Sequence, residues 1–267
     1  MAEGTTTGDG NISIGTLAGY QLTSGFMNVF IGNQAGEATT QATNNTAVGE
    51  RAMHLNQTGN SNTAMGRSAL ENTTTATLNV ALGGETMGGI TSGIAIQDCV
   101  AVGYAAFKGS SSTTTGANGT VAVGRLALNS LTTGAGNVAV GYASMQNGGT
   151  INTSTAVGYA ALQNSVDGMV GNTAIGNRAL DAANNSGADD NTAVGKDALG
   201  QLSSGAQNVA VGKDAGNVIQ GGSNNVCIGK NANVSAAGAS NQIAIGKDAT
   251  GQGDNSVVLG NADVTAV

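Results

Sequence analysis

The chain has no proline and no tryptophan, and aromatic residues make up only 3% of its 267 positions. Charged residues are 9%, with a single histidine and two cysteines. Each shortage excludes something. A globular α/β enzyme of this length normally carries more aromatic bulk and more charge. One histidine, His54, lies just past Met53 in a turn and reads as a solvated residue, not a catalytic base. The cysteine and histidine inventory cannot build a zinc site. No phosphate-cradling loop follows a strand, and no apolar run approaches the roughly 18 residues of a membrane span. The first residues, MAEGTTTGDG, have no apolar core of a secretory signal. With a net charge of -7 and no basic stripe, nucleic acid is not an expected partner. No cofactor, no metal and no catalytic residue is expected.

What the chain has instead is glycine, 44 of them, and a phrase repeated in register. It reads NISIGTLAG, NVFIGNQAG and NTAVGERAM near the start, and NTAVGKDAL, NVAVGKDAG and NVCIGKNAN near the end. The central glycines are Gly15, Gly32, Gly49, Gly66, Gly83, Gly103, Gly124, Gly141, Gly158, Gly176, Gly195, Gly212, Gly229, Gly246 and Gly260, most of them 17 residues apart. A fixed short period means a stacked repeat, not a globular core. The array runs over 11–267 after a lead-in of 1–10.

Counting from each glycine as zero, position -3 is Ile, Val or Thr, position -2 is mostly Ala, and position -1 is Ile, Val, Leu or Met. That alternation reads as a three-residue strand. Glycine permits the turn that ends it. Alanine at +3 and Leu or Met at +4 (Leu70, Leu128, Leu162, Met53) form a second segment that folds back under the strand. Gly, Thr, Val and Asn are poor helix formers, which argues against helical repeats. The expected fold is all-β: a parallel β-solenoid of about fifteen 17-residue coils, roughly 70 Å long at about 4.8 Å per coil.

Asparagine recurs at -4, as Asn11, Asn28, Asn45, Asn62, Asn79, Asn137, Asn172, Asn191, Asn208 and Asn225. Such a row can hydrogen-bond from coil to coil and satisfy turn backbone groups. Cys99 and Cys227 both read as residues of the repeat strand, on the order of 40 Å apart, too far for a disulfide. Lys196, Lys213, Lys230 and Lys247 share position +1, and Asp197, Asp214 and Asp248 follow at +2. This reads as an exposed charge ladder, with carboxylates of other coils or chains offsetting the lysines; a row that binds polyanions is the sharper alternative. Tyr104, Tyr142 and Tyr159 also stand at +1, and read as surface packing before sugar stacking. Asp189 and Asp190 are the best carboxylate pair, read as a polar turn before a Ca²⁺ site.

So thin a coil buries little surface. The small residues at -2 and +3 suggest a face for close approach by another chain, and three-fold symmetry would close a bundle. The phrases NTAVGxxAL and NSVVLGNADVTAV resemble repeats in the heads of trimeric autotransporter adhesins, and more so the repeats of bacteriophage tail fibres. The resemblance covers 11–264. It implies β-rolls packed as a homotrimer, with self as the first partner. Most coils here have 17 residues where the adhesin heads have about 14.

The resemblance implies a structural and adhesive fibre segment of a virion appendage, used in host-surface attachment without membrane insertion. A host glycan or protein would be the further partner, met at variable loops such as 86–98 and 108–119, or in a further domain expected beyond Val267. The alternatives are the head of a bacterial surface adhesin and an ice-binding solenoid. The second lacks the flat Thr-x-Thr array it needs, because Thr at -3 is paired with Val or Ile at -1 in most coils.

Overall fold

A computed structural model describes residues 7–90, 95–109, 116–165 and 168–265. Among these residues the chain is all-β: a parallel β-solenoid of about fourteen turns of about 17 residues. Its contacts group into two compact units, residues 1–137 and 138–267.

Unit 1 carries β1 (Ile12–Ile14), β2 (Val29–Ile31), β3 (Thr46–Val48), β4 (Thr63–Met65), β5 (Val80–Leu82), β6 (Val100–Val102) and β7 (Val121–Val123). Each pairs in parallel with the next in strict register, so that Ala47 lies beside Ala64 and Ala64 beside Ala81. Unit 2 carries β8 (Val138–Val140), β9 (Ile151–Asn152), β10 (Thr155–Val157), β11 (Met169–Val170), β12 (Thr173–Ile175), β13 (Thr192–Val194), β14 (Val209–Val211), β15 (Val226–Ile228), β16 (Ile243–Ile245) and β17 (Val257–Leu259). There β8, β10 and β12 to β17 form the main ladder. The short strands β9 and β11 pair with each other.

Three residues suffice for each strand because the ladder continues through the turns. The amide of Gly32 donates to Ile14 O, and that of Gln34 to Thr16 O, both at 2.8 Å. Two residues further on, Gly36 N donates to Ala52 O at 2.9 Å. The backbone of each coil is thereby tied to its neighbours almost all round, as burial of peptide groups requires.

The turns bend through left-handed residues at +2, +4 and -5, such as Arg51, Met53 and Asn44 with φ of 57, 52 and 58°. A left-handed residue with a side chain costs on the order of 1 kcal/mol. Among the described non-glycine residues in that conformation, Thr153 alone is β-branched, the class that suffers most there. At the central glycines a side chain has no room at all. A Cβ on Gly49 would stand 2.7 Å from the carbonyl of Gly66, and one on Gly212 2.7 Å from that of Gly229, with φ near +134° at both.

The interior is a column of small side chains. Ala at -2 and +3 and Leu or Met at +4 are buried, as at Ala64, Ala69 and Leu70, or Ala193, Ala198 and Leu199. Where β2 substitutes Phe30 for the usual alanine, position +4 becomes Gly19 and Gly36, and both glycines lie against the phenyl ring. The volume is conserved within the column.

Candidate functional site

Strand residues at -3 and -1 face outward, opposite to alanine at -2. This corrects the expectation that the small residues form the face for another chain. Alanine fills the column at this position in most coils, and the bulky β-branched residues on either side of it are left outside. Every coil therefore adds an apolar side chain to an outer stripe. In unit 1 it includes Ile14 (58% exposed), Met65 (46%) and half-buried Val48, Leu82 and Val102. In unit 2 it includes Val157, Ile175, Val211, Ile228 and Ile245, all at least a third exposed.

The asparagines at -4 are buried, except the half-buried Asn11. Asn45 donates through Nδ2 to Asn28 Oδ1 at 3.2 Å and Gly59 O at 2.8 Å. Its own Oδ1 accepts from the amide and Nδ2 of Asn62 at 2.9 and 3.1 Å. Asn208 repeats the pattern with Asn191, Gly222 and Asn225. In these coils each amide has both donors and its acceptor used, so the row acts there as a structural spine. Cys99 and Thr120 stand at the same position, which the sequence reading missed. Cys99 thus precedes β6 instead of lying in it, and its thiol donates to the carbonyls of Gln97 and Ala117 at 3.2 Å. Cys227 lies in β15. Burial pushes both thiols up, Cys227 to about 11, so neither is a ready nucleophile.

The corner at +1 and +2 carries the charge. Lys213 and Lys247 pair with Asp214 and Asp248 at 3.1 and 3.3 Å, and Lys196 with Asp197. Each lysine is thus neutralised within its own coil, by the next residue, and not across coils. Lys230 is followed by Asn231, whose amide donates to Asp248 Oδ1 at 2.7 Å. That bond and Lys247 hold the Asp248 carboxyl below its ordinary value. Tyr142 and Tyr159 stack with centroids 5.3 Å apart and planes 8° from parallel. Each ring therefore covers one face of the other. Tyr104 lies under the guanidinium of Arg125, 5.9 Å from the ring centre.

His54 is not solvated: its side chain is mostly buried, with Nδ1 3.4 Å from Glu37 Oε2. A turn residue at +5 lies against the same position of the adjacent coils, which places it beside Glu37. Asp189 Oδ1 accepts from the amide of Val170 at 2.8 Å, and Asp190 takes a left-handed turn conformation. Among the described residues no cluster of three or more His, Cys, Asp or Glu could hold a metal. No helix among them is long and apolar enough to cross a membrane. Of the loops singled out as receptor contacts, 91–94 and 110–115 lie outside the described residues. No protein-family model matches the chain, and no curated protein matches it either.

Proposed function

We propose that the chain is a structural and adhesive segment of a homotrimeric fibre, as in a phage tail fibre or similar virion appendage, that serves host-surface attachment. The observation that carries this reading is the outer apolar stripe. Monomeric proteins seldom expose contiguous apolar surface beyond a few hundred Å². A stripe with one apolar residue per coil fits best against a surface of the same rise, and a second copy of the chain has that rise by construction. Cyclic symmetry about an axis along the stripe closes such a bundle without a free face. Alanine columns and backbone ladders would supply a stiff, protease-resistant spacer. The head of a bacterial trimeric adhesin would use the stripe in the same way.

Light scattering on residues 1–267 tests the reading. A solution mass near three times 25.8 kDa is expected. Replacing Ile175→Lys and Ile228→Lys together should release single chains with an unchanged β spectrum, since each buried isoleucine contributes about 2 kcal/mol. A wild-type chain that is a stable monomer of 25.8 kDa overturns the proposal.

A further inference from the structure

One coil of unit 1 interrupts the corner. The coil of Gly83 carries glycine at +1, +5 and +6, as Gly84, Gly88 and Gly89. The preceding coil has Arg67, Glu71 and Asn72 at those positions, and the following coil has Tyr104 and Lys108 at the first two. A notch of about 270 Å³ lies beside Gly88 and Gly89. Arg67, Glu71 and Asn72 form one wall, Glu85 and Gly88 the floor, and Lys108 the opposite wall.

The floor carboxylate is held in place from two sides. Lys108 Nζ lies 2.9 Å from Glu85 Oε2, and Tyr104 Oη donates to Oε1 at 3.0 Å. Glu71 is fixed by Arg51 at 2.7 Å. Arg67 is different. Its nearest carboxylates, Glu50 and Glu85, are 3.7 and 3.9 Å away, beyond hydrogen-bond length. Its planar fork of donors is therefore available at the mouth of the notch.

Two cations and two carboxylates make the lining neutral overall. Phosphate or a polyanion would face Glu71 and Glu85, and a metal ion would face Arg67 and Lys108. An apolar group would have to desolvate charged side chains on both walls. A ring of vicinal hydroxyls suits the site, because each hydroxyl can accept from guanidinium or ammonium and donate to a carboxylate. The volume is just below the roughly 300 Å³ at which pockets for drug-sized ligands begin, so one ring fits and the rest of a chain would stay in solvent.

We propose that this notch binds a single neutral pyranose of a surface glycan. The inference rests on the attachment reading and names its ligand class. Saturation-transfer NMR on the full chain tests it with glucose, galactose, mannose and N-acetylglucosamine as probes, and glucuronate as the charged control. Transfer to at least one neutral sugar is expected, with glucuronate no better. Arg67→Gln and Lys108→Gln should each weaken binding about tenfold, the loss of one charge-assisted hydrogen bond. Among the described residues the Arg67 side chain makes only the long contacts to Glu50 and Glu85, at 3.7 and 3.9 Å, so an unchanged melt of Arg67→Gln separates a loss of binding from a loss of fold. Silence from all four neutral sugars, preference for glucuronate, or binding unchanged in Arg67→Gln overturns the notch. A trimer with a silent notch removes this inference alone. A monomer whose notch binds sugar removes the fibre reading alone.

Discussion

The two units share one coil and use charge in opposite ways. In unit 1 the ion pairs run between coils: Arg51 to Glu71, Arg67 to Glu50 and Glu85, and Lys108 to Glu85. In unit 2 the closest pairs stay within a coil, as Arg178 with Asp181, Lys196 with Asp197 and Lys213 with Asp214. Both arrangements support the same parallel register. The coil must therefore be held by what the units have in common: glycine at zero, the asparagine spine and the alanine column. Charge at the corner is left to vary, and in unit 1 it varies into a notch.

The largest effect should come from the shared glycine. Gly49→Ala in unit 1 and Gly212→Ala in unit 2 each put a Cβ into the backbone of the next coil at a left-handed φ. Strain and clash together should cost at least about 4 kcal/mol in either unit. Urea unfolding of the two variants measures it. If one unit tolerates its alanine, the glycine is not a common requirement and the comparison fails at its base.

A smaller and again equal loss is expected from the spine. Asn45→Ala and Asn208→Ala each remove two donated and two accepted hydrogen bonds in a buried setting. Unsatisfied carbonyls and amides should cost about 2–3 kcal/mol. Hydrogen exchange at Asn62 and Asn225, whose amides donate to the deleted oxygens, localises the loss. Protection that survives in one unit would show that its spine is not load-sharing with the ladder.

These shared parts were the legible ones. A period of 17, the strand at -3 to -1 and the asparagine row need only local pattern, and one phrase repeated fifteen times supplies it. Which side of a three-residue strand faces inward is not local. Small residues at -2 read equally as a seam for another chain or as the filling of a narrow column, and the buried Ala47 and Ala210 decide for the column. The placement of His54 beside Glu37 and the notch at Gly88 and Gly89 depend on stacking one coil on another, so a single coil read alone shows neither. The deviation was visible all the same: three glycines at +1, +5 and +6 of one coil mark where the side chains are missing.

The smallest effect should separate the units. Glu85→Gln removes a carboxylate shared by Lys108, Tyr104 and Arg67, whereas Asp214→Asn removes one partner of Lys213. Exposed pairs contribute little, so about 0.5–1 kcal/mol is expected for the first at neutral pH and less than about 0.5 for the second. Their pH behaviour sharpens the contrast. Hydrogen bonds from Lys108 and Tyr104 hold the Glu85 carboxyl below the ordinary glutamate value of 4.5. A carboxyl depressed by folding stabilises the fold at pH values above its unfolded pKa, and that contribution disappears as pH falls through the folded one. Unit 1 should therefore lose stability on acidification below about pH 4.5, and Glu85→Gln should flatten that limb. Melts of wild type and both variants between pH 3 and 7 measure it. An acid limb left intact by Glu85→Gln would mean that the cross-coil pairs of unit 1 contribute no more than the in-coil pairs of unit 2, and the corner would be electrostatically idle in both.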